Sequence, residues 1–301
     1  MSPKIVVAGS SNTDMICRVP HIPKPGETVL GGDFFVVQGG KGANQAVAAA
    51  RAGGNVTFIA CVGDDLFGRQ ALESYKSDRI DTSCIEITSG VPTGVALINV
   101  ADSGENSIAV APGANARLTP EIIDHYRNII AGADMVLVQL EIPIETVYRI
   151  IRIAWSAGVP VVLNPAPAAT IDREILSMLT LVTPNEHEAL LLAGTGMDGC
   201  SVSTLADRIQ DIGAGSVVIT TGSEGAFFRQ GSLEGHVAGI PVTAVDTTAA
   251  GDTFNGYLVV ELARGKSLAE AIQVANKAAA LSVTRMGAQP SIPWLNELTE
   301  L

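Results

Sequence analysis

Residues 135–163 read MVLVQLEIPIETVYRIIRIAWSAGVPVVL. Met135–Leu140 is a short apolar run of the kind that forms a buried strand. Ile144–Ala157 reads as a helix, stopped by Gly158. Val159–Leu163 is a second apolar run. Strand, helix and strand in succession are the unit of a parallel sheet. The alternation continues on both sides. Towards the C-terminus, helices are expected over Arg173–Leu179, Glu186–Leu192 and Thr204–Ile212, with strands at Thr180–Val182 and Ser216–Thr220. Ala226–Arg229 and Leu233–Val237 follow as an edge hairpin. Towards the N-terminus, Lys4–Ala8 and Val56–Val62 are strands, and Thr119–Ile130 is a helix with Thr119 as cap and Pro120 in its first position. The fold class is α/β, a mostly parallel central sheet flanked by helices on both faces. Met15–Val19, Glu27–Val37, Ile85–Ile87, Gly94–Val100 and Ser107–Ala111 read as strands of a small separate sheet.

The chain of 301 residues can bury a substantial core, and 47% hydrophobic against 17% charged residues mark an ordinary globular protein. No apolar run approaches the ~18 residues of a membrane span, and the start MSPKIVVAGS lacks a signal-peptide pattern. A cytoplasmic protein with no membrane partner is expected. The net charge of −12 argues against nucleic acid as a partner. Cys17, Cys61, Cys84 and Cys200 are far apart, with no metal or dithiol spacing.

Asp246–Gly256 reads DTTAAGDTFNG, with a strand-like run before it and a helix-compatible run from Phe254 to Leu262. Ala249, Ala250 and Gly251 form a small-residue turn opening a helix. The first amides of a helix have no intrahelical partner, and its dipole adds positive potential there, so the turn can receive a phosphate. Asp252 falls in the first helical turn. It fits a helix-capping role and equally a general base for a hydroxyl attacking a phosphoryl group. Gly39–Gly54, GGKGANQAVAAARAGG, is an Ala-rich helix with Lys41, Asn44 and Gln45 at its start. A lysine there opposes the dipole, which suggests a ligand oxygen nearby. The spacing is neither a Walker A loop nor a dinucleotide fingerprint, which weighs against an oxidoreductase.

Polar residues collect just past the strands. Asn12 and Asp14 follow Lys4–Ala8, Glu141 follows Leu140, and Asn164 follows Leu163. Asn185 and Glu188 follow Val182, and Thr220, Thr221, Gly222, Ser223 and Gly225 end the Ser216 strand. Each suits a turn or cap taken alone. In a parallel sheet they share one edge, the usual ligand crevice.

GGKGANQAVAAARAG and DTTAAGDTFNGYL together resemble the two signatures of the ribokinase (PfkB-type) carbohydrate kinases. SSNTD, PTGVALI, QLEIP, NPAPA, TPNEHE and TRMGAQPSIPW extend the resemblance over essentially the whole chain. It implies a single ribokinase-like domain over 1–301, with a β-sheet lid from about 13–38 and 92–111. It implies ATP-dependent phosphorylation of ribose at O5. By the resemblance, Asp252 is the base, and Ala249, Ala250 and Gly251 are the anion hole. Asn12, Asp14, Gly40, Lys41, Asn44 and Glu141 contact sugar. Asn185, Thr220, Thr221, Gly222, Ser223, Glu224, Gly225 and Asn276 contact nucleotide, and Glu188 helps place Mg²⁺ through water. Asp246, Thr248, Ser282, Arg285, Gly287 and Ser291 would surround K⁺, and lid sheets would pair in a homodimer. Deoxyribose, fructose and nucleosides remain alternative substrates, and a non-catalytic sugar-binding regulator remains an alternative role.

Overall fold

The run from Met135 forms a strand over Met135–Val138, a helix over Ile144–Ser156 and a strand over Val161–Leu163, the two strands pairing in parallel. A computed structural model describes residues 2–194 and 199–300. Its N-terminal part contains β1 (Lys4–Ala8), β2 (Asn12–Val19), β3 (Phe34–Gly39), α1 (Lys41–Arg51), β4 (Asn55–Gly63), α2 (Leu66–Ser77), β5 (Ile85–Thr88), β6 (Gly94–Ala101) and β7 (Asn106–Ala111). The middle contains α3 (Pro120–His125), α4 (Arg127–Ala131), β8 (Met135–Val138), α5 (Ile144–Ser156), β9 (Val161–Leu163), α6 (Arg173–Leu176), β10 (Leu181–Val182), α7 (Glu186–Leu192) and α8 (Val202–Ile212). Last come β11 (Ser216–Thr220), β12 (Gly225–Gln230), β13 (Leu233–Ala238), α9 (Ala250–Ala263) and α10 (Leu268–Ser282).

A nine-stranded sheet runs β13-β12-β11-β10-β9-β8-β1-β4-β5, parallel from β11 to β5, with the β12–β13 hairpin antiparallel at one edge. Both faces are apolar. Ile5 and Val7 of β1 and Val56, Phe58 and Ala60 of β4 point into one core with α1, α9 and α10. Val6, Ala8, Ile59 and Cys61 point into the other, with α3, α5, α7 and α8. This two-sided burial is why the parallel strands read as unbroken apolar runs.

The lid is a four-stranded sheet, β3-β2-β6-β7. β5 is not part of it. It pairs in parallel with β4 and ends the large sheet, because the loop before Gly94 carries the chain from one sheet to the other. The expected Glu27–Val37 strand shrinks to Phe34–Gly39. Pro23, Pro25 and the Gly31–Gly32 pair leave the preceding stretch irregular. The expected Thr119 helix breaks at Tyr126, whose φ of −95° and ψ of 10° leave the helical basin. The hydroxyl of Tyr126 instead donates to Glu86 Oε1 at 2.5 Å.

Candidate active site

The site is organised by the crossing of α1 and α9. Gly256 sits at the crossing: a Cβ there would lie 2.4 Å from Ala48 Cβ and 2.8 Å from Gln45 O. Glycine lets the helices meet backbone to backbone, which carries the start of α1 to the first turn of α9. Asp252 is 8% exposed. Asn44 Nδ2 donates to its Oδ2 at 2.9 Å, and Gln45 Nε2 donates to its Oδ1 at 2.8 Å. Burial raises the Asp252 pKa, against Lys41 and the two amide donors, which lower it. Ala249 precedes the helix in the left-handed region, φ 60° and ψ 14°. That turn starts the helix, so the amides of Gly251 and Asp252 have no carbonyl behind them within it. Asp252 lies in the first helical turn, where its charge suits the helix dipole, and it is also held by amides from another helix.

Next to the lid, the structure brings Asn12, Asp14, Lys41 and Glu141 together. Asn12 and Asp14 lie inside β2, not in a loop after β1, so their side chains are set by a strand of the lid. A Cβ on Gly39 would lie 2.1 Å from Asp14 Oδ2, so the glycine leaves that carboxylate its place. Burial, then Glu141 and Asp252, push Asp14 up to about 7, with Lys41 opposing. Glu141 is bound by Ser10 Oγ at 2.5 Å and by Lys41 N at 3.0 Å. It thereby caps α1 from a distant part of the chain, since Gly40 has no side chain to do so. Burial lowers the Lys41 pKa, but Asp252, Glu141, Glu188 and Asp14 raise it further, so its ammonium is the cation of the cluster. Asn12 Oδ1 accepts from Asn115 Nδ2 at 2.7 Å. Asn12 and Glu141 line a cavity of about 420 Å³ together with Leu140, Ile142, Pro143 and the lid residue Val110.

Along the same sheet edge, Asn185 and Glu188 form a capping box on α7. Asn185 Oδ1 accepts from Glu188 N at 2.8 Å, and Glu188 Oε2 accepts from Asn185 N at 2.9 Å. The capping reading of Asn185 is thus real. It ties up one carboxylate oxygen of Glu188, Oε2, and leaves Oε1 outside the box. Thr220 bridges to Asn185, and Gly222, Ser223 and Glu224 make a short 3₁₀ turn into β12. Asn276 of α10 donates to Val237 O at 3.1 Å and Ala238 O at 3.2 Å, which joins it to this end of the sheet.

The residues expected around K⁺ divide. Asp246 accepts from Thr248 N at 2.9 Å, Thr248 Oγ1 at 2.6 Å and Gly287 N at 2.9 Å. It ties the loop before α9 to the loop after α10. Val283 O receives the amides of both Val245 and Asp246. Ser282 and Ser291 are fully buried, with their hydroxyls donating to Ala279 O and Ala288 O. Arg285 points its guanidinium at Glu297, away from Asp246. Two loops with carbonyls, hydroxyl oxygens and one carboxylate make a donor set that fits a hard monovalent cation. No cluster of His, Cys, Asp or Glu able to hold a metal occurs among the described residues, which does not bear on carbonyl ligation.

The sequence model for pfkB family carbohydrate kinase matches residues 2–295. The chain belongs to that family. A ribokinase from Haemophilus influenzae is 44% identical over 301 residues, covering all of this chain and 98% of its own. A deoxyribokinase from Salmonella typhi is 36% identical, covering 98% of this chain and 97% of its own. Among solved structures, Arabidopsis thaliana ribokinase complexed with ribose and ATP is 32% identical with a TM-score of 0.92, covering 100% of this chain and 98% of its own. The ribokinase-like α/β fold with its small lid sheet is therefore shown twice, by the strand order and by likeness.

Several residues of the site carry no chemical signal in the sequence. Gln45 reads only as a residue at a helix start, and Gln139 as part of a strand that ends at Val138. Ser10, Thr183 and Asn255 fall inside the quoted motifs and Asn115 outside them, but the role of each depends on a partner more than 70 positions away.

Proposed function

We propose that the chain transfers the γ-phosphoryl group of ATP to O5 of ribose. The observation that carries this is the buried Asp252 carboxylate, set in the first turn of α9 and facing the Asp14, Lys41 and Glu141 cluster. Asp252 takes the proton of the attacking hydroxyl, and the burial that raises its pKa makes it a stronger base than a free carboxylate. The amides of Gly251 and its neighbours Ala249 and Ala250 receive the charge on the transferring group. Asn12, Asp14, Gly40, Lys41, Asn44 and Glu141 hold the sugar, whose hydroxyls suit an array of carboxylates and amides. Asn185, Thr220–Gly225 and Asn276 hold the nucleotide. Mg²⁺, when bound, neutralises phosphate charge, with Glu188 the residue to hold its waters. K⁺ at the Asp246–Gly287 junction would stiffen the loop that starts α9. The lid closes over the sugar and excludes water as a competing acceptor. Its Phe34, Val36, Leu97 and Ile108 are all more than 40% exposed, which favours lid-to-lid pairing in a homodimer.

The test is ADP release from MgATP with ribose, 2-deoxyribose, fructose and adenosine, each with and without K⁺. Ribose turned over best supports the assignment. The full-length deoxyribokinase relatives make 2-deoxyribose the second reading, and a faster rate with it replaces ribose while keeping kinase chemistry. Binding of ribose without turnover of any of the four would make the chain a sugar-binding regulator.

A further inference from the structure

Beneath Asp252 runs a row of buried polar side chains without an assigned role. Gln139, Asn164 and Thr183 are the residues that immediately follow β8, β9 and β10, three neighbouring strands of the sheet. Gln45 reaches them from α1 and Asn255 from α9. All are less than 8% exposed.

Their orientations follow from groups that can only accept. The Asp252 carboxylate faces Gln45, so Gln45 must present its NH₂, which donates to Asp252 Oδ1 at 2.8 Å and to Asn164 Oδ1 at 3.0 Å. Gln45 Oε1 then requires a donor, and Gln139 Nε2 supplies it at 2.6 Å. Asn164 Nδ2 donates to the carbonyl of Thr183 at 2.9 Å. Thr183 Oγ1 donates to Asn255 Oδ1 at 2.5 Å, and Asn255 Nδ2 donates to the Gly251 carbonyl at 2.8 Å. The chain of bonds starts at the carboxylate of Asp252 and returns to the backbone one residue before it. Every amide in it has a single consistent orientation.

We propose that Gln139, Asn164 and Thr183 form a positioning ledge that fixes the Asp252 carboxylate and the Gly251 backbone relative to each other. Gln139 supplies the donor that Gln45 Oε1 needs in this orientation. Without it that oxygen is left buried and unpaired, and the Gln45 amide loses the bond that holds it from behind against the carboxylate. Gln139 and Thr183 touch neither reacting group and act through Gln45 and Asn255. This rests on reading Asp252 as the base.

The first test is Gln139→Met. It removes the donor, and with it a buried Oε1 that has no hydrogen-bond partner, at nearly constant side-chain length, so the fold should persist. The expected result is a kcat lowered about 10- to 100-fold, the order of loss that misplacing a reacting group causes. KM for ribose and for ATP should stay within about twofold, because the ledge lies under the base, not under either ligand. The acid limb of the kcat–pH profile should move up by about one pH unit, since a carboxylate that loses a donor to its charged form becomes harder to ionise. Lys41, Glu141, Asp14 and Glu188, the charged groups around Asp252, are the same in both proteins. A lower melting temperature with an unmoved acid limb and unchanged kcat would reduce Gln139 to a packing residue and overturn the proposal.

Thr183→Val keeps the shape and removes only the hydroxyl donor to Asn255. It should lower kcat without moving the acid limb, because it loosens the Gly251 end. A folded Thr183→Val with full kcat also overturns the ledge. Asp252→Asn separates the two levels. If that variant keeps turnover, the base assignment fails. If it loses turnover while Gln139→Met and Thr183→Val do not, only the ledge fails.

Discussion

Two glycines five positions apart on α9 should respond to alanine in opposite ways. A Cβ built on Gly251 meets no protein atom within 4 Å, and its φ lies outside the left-handed range. Protein packing therefore does not require glycine there. Gly251→Ala should leave stability unchanged or raise it by up to about 1 kcal/mol, the helix preference of alanine over glycine. A Cβ on Gly256 would stand 2.4 Å from Ala48 Cβ and 2.7 Å from Ala49 N. The second contact is backbone, which cannot rotate away, so α9 must move off α1. Overpacking of this kind costs about 1–3 kcal/mol or more. At about 2–4 °C per kcal/mol for chains approaching this size, Gly256→Ala should lower the melting temperature by roughly 2–12 °C. Activity should divide the other way. In Gly251→Ala the methyl stands where a phosphoryl group approaches the first-turn amides, and turnover should fall about 10²- to 10³-fold, as on losing an oxyanion donor. The assays are a thermal melt and coupled ADP release on the same preparations. A Gly251→Ala protein that melts normally and turns over normally would refute the anion hole at α9. One that loses activity only in proportion to lost stability would refute it as well.

Asp252→Asn places an NH₂ against one of two amide donors, so turnover should fall about 10²- to 10⁴-fold while ATP binding, followed by calorimetry, persists. Arg51 is paired to Asp78 at 2.7 Å and donates to Gln289 O and Ile292 O; Arg51→Ala strands a carboxylate that is 5% exposed and should cost about 3–5 kcal/mol, read from a urea melt. If K⁺ acts at the Asp246 junction, turnover should rise on replacing choline with K⁺, and Asp246→Ala should lose that response while still binding ribose. Asp14 has a folded pKa of about 7 against 3.8 for the free group. Between those values the folded state holds a proton that the unfolded state does not, so this stabilising contribution is complete below about pH 4 and is lost as pH rises through about 7. Melting temperatures should therefore favour Asp14→Asn over the parent more at pH 8 than at pH 5.

The fold was legible wherever one physical rule dominated. The β8–α5–β9 run is buried on both sheet faces, and continuous apolar strands separated by a Gly-stopped helix admit few other arrangements. The lid strands are harder to read, because a sheet open on one side carries a weaker pattern; Glu27–Asp33 has strand-like residues but Pro25 and Gly26 before it and Gly31–Gly32 within it. Ile87 was assigned to the lid because pairing partners are set by topology and not by local sequence. In the site, Asp252, Lys41 and Glu141 stood out as charges at element ends. Gln139, Thr183 and Asn255 did not, because a neutral amide or hydroxyl inside an apolar run looks the same whether it is solvated or bonded across the core. Only their buried, mutually consistent hydrogen bonds distinguish them.

The distribution of charge explains how a site with so many carboxylates can take a polyanion. Glu141 is bound by the first amide of α1, Glu188 by the capping amide of α7, and Asp252 lies in the first turn of α9. Each meets the positive end of a helix, a favourable place for a carboxylate. Asp14 lies on a strand, has Glu141 and Asp252 as neighbours, and is held up to about 7. Sugar hydroxyls can donate to such a group and supply what a helix terminus supplies to the other three. The start of α9 is different in kind: the Gly251 and Asp252 amides carry positive potential there. A neutral polyol thus meets the carboxylates and an anionic phosphoryl group meets the amides. Exchanging the two would leave Asp14 without donors and place the phosphate against like charge. In the proposed assignment this polarity sets the direction in which sugar and nucleotide enter, independently of any side chain that selects one sugar over another.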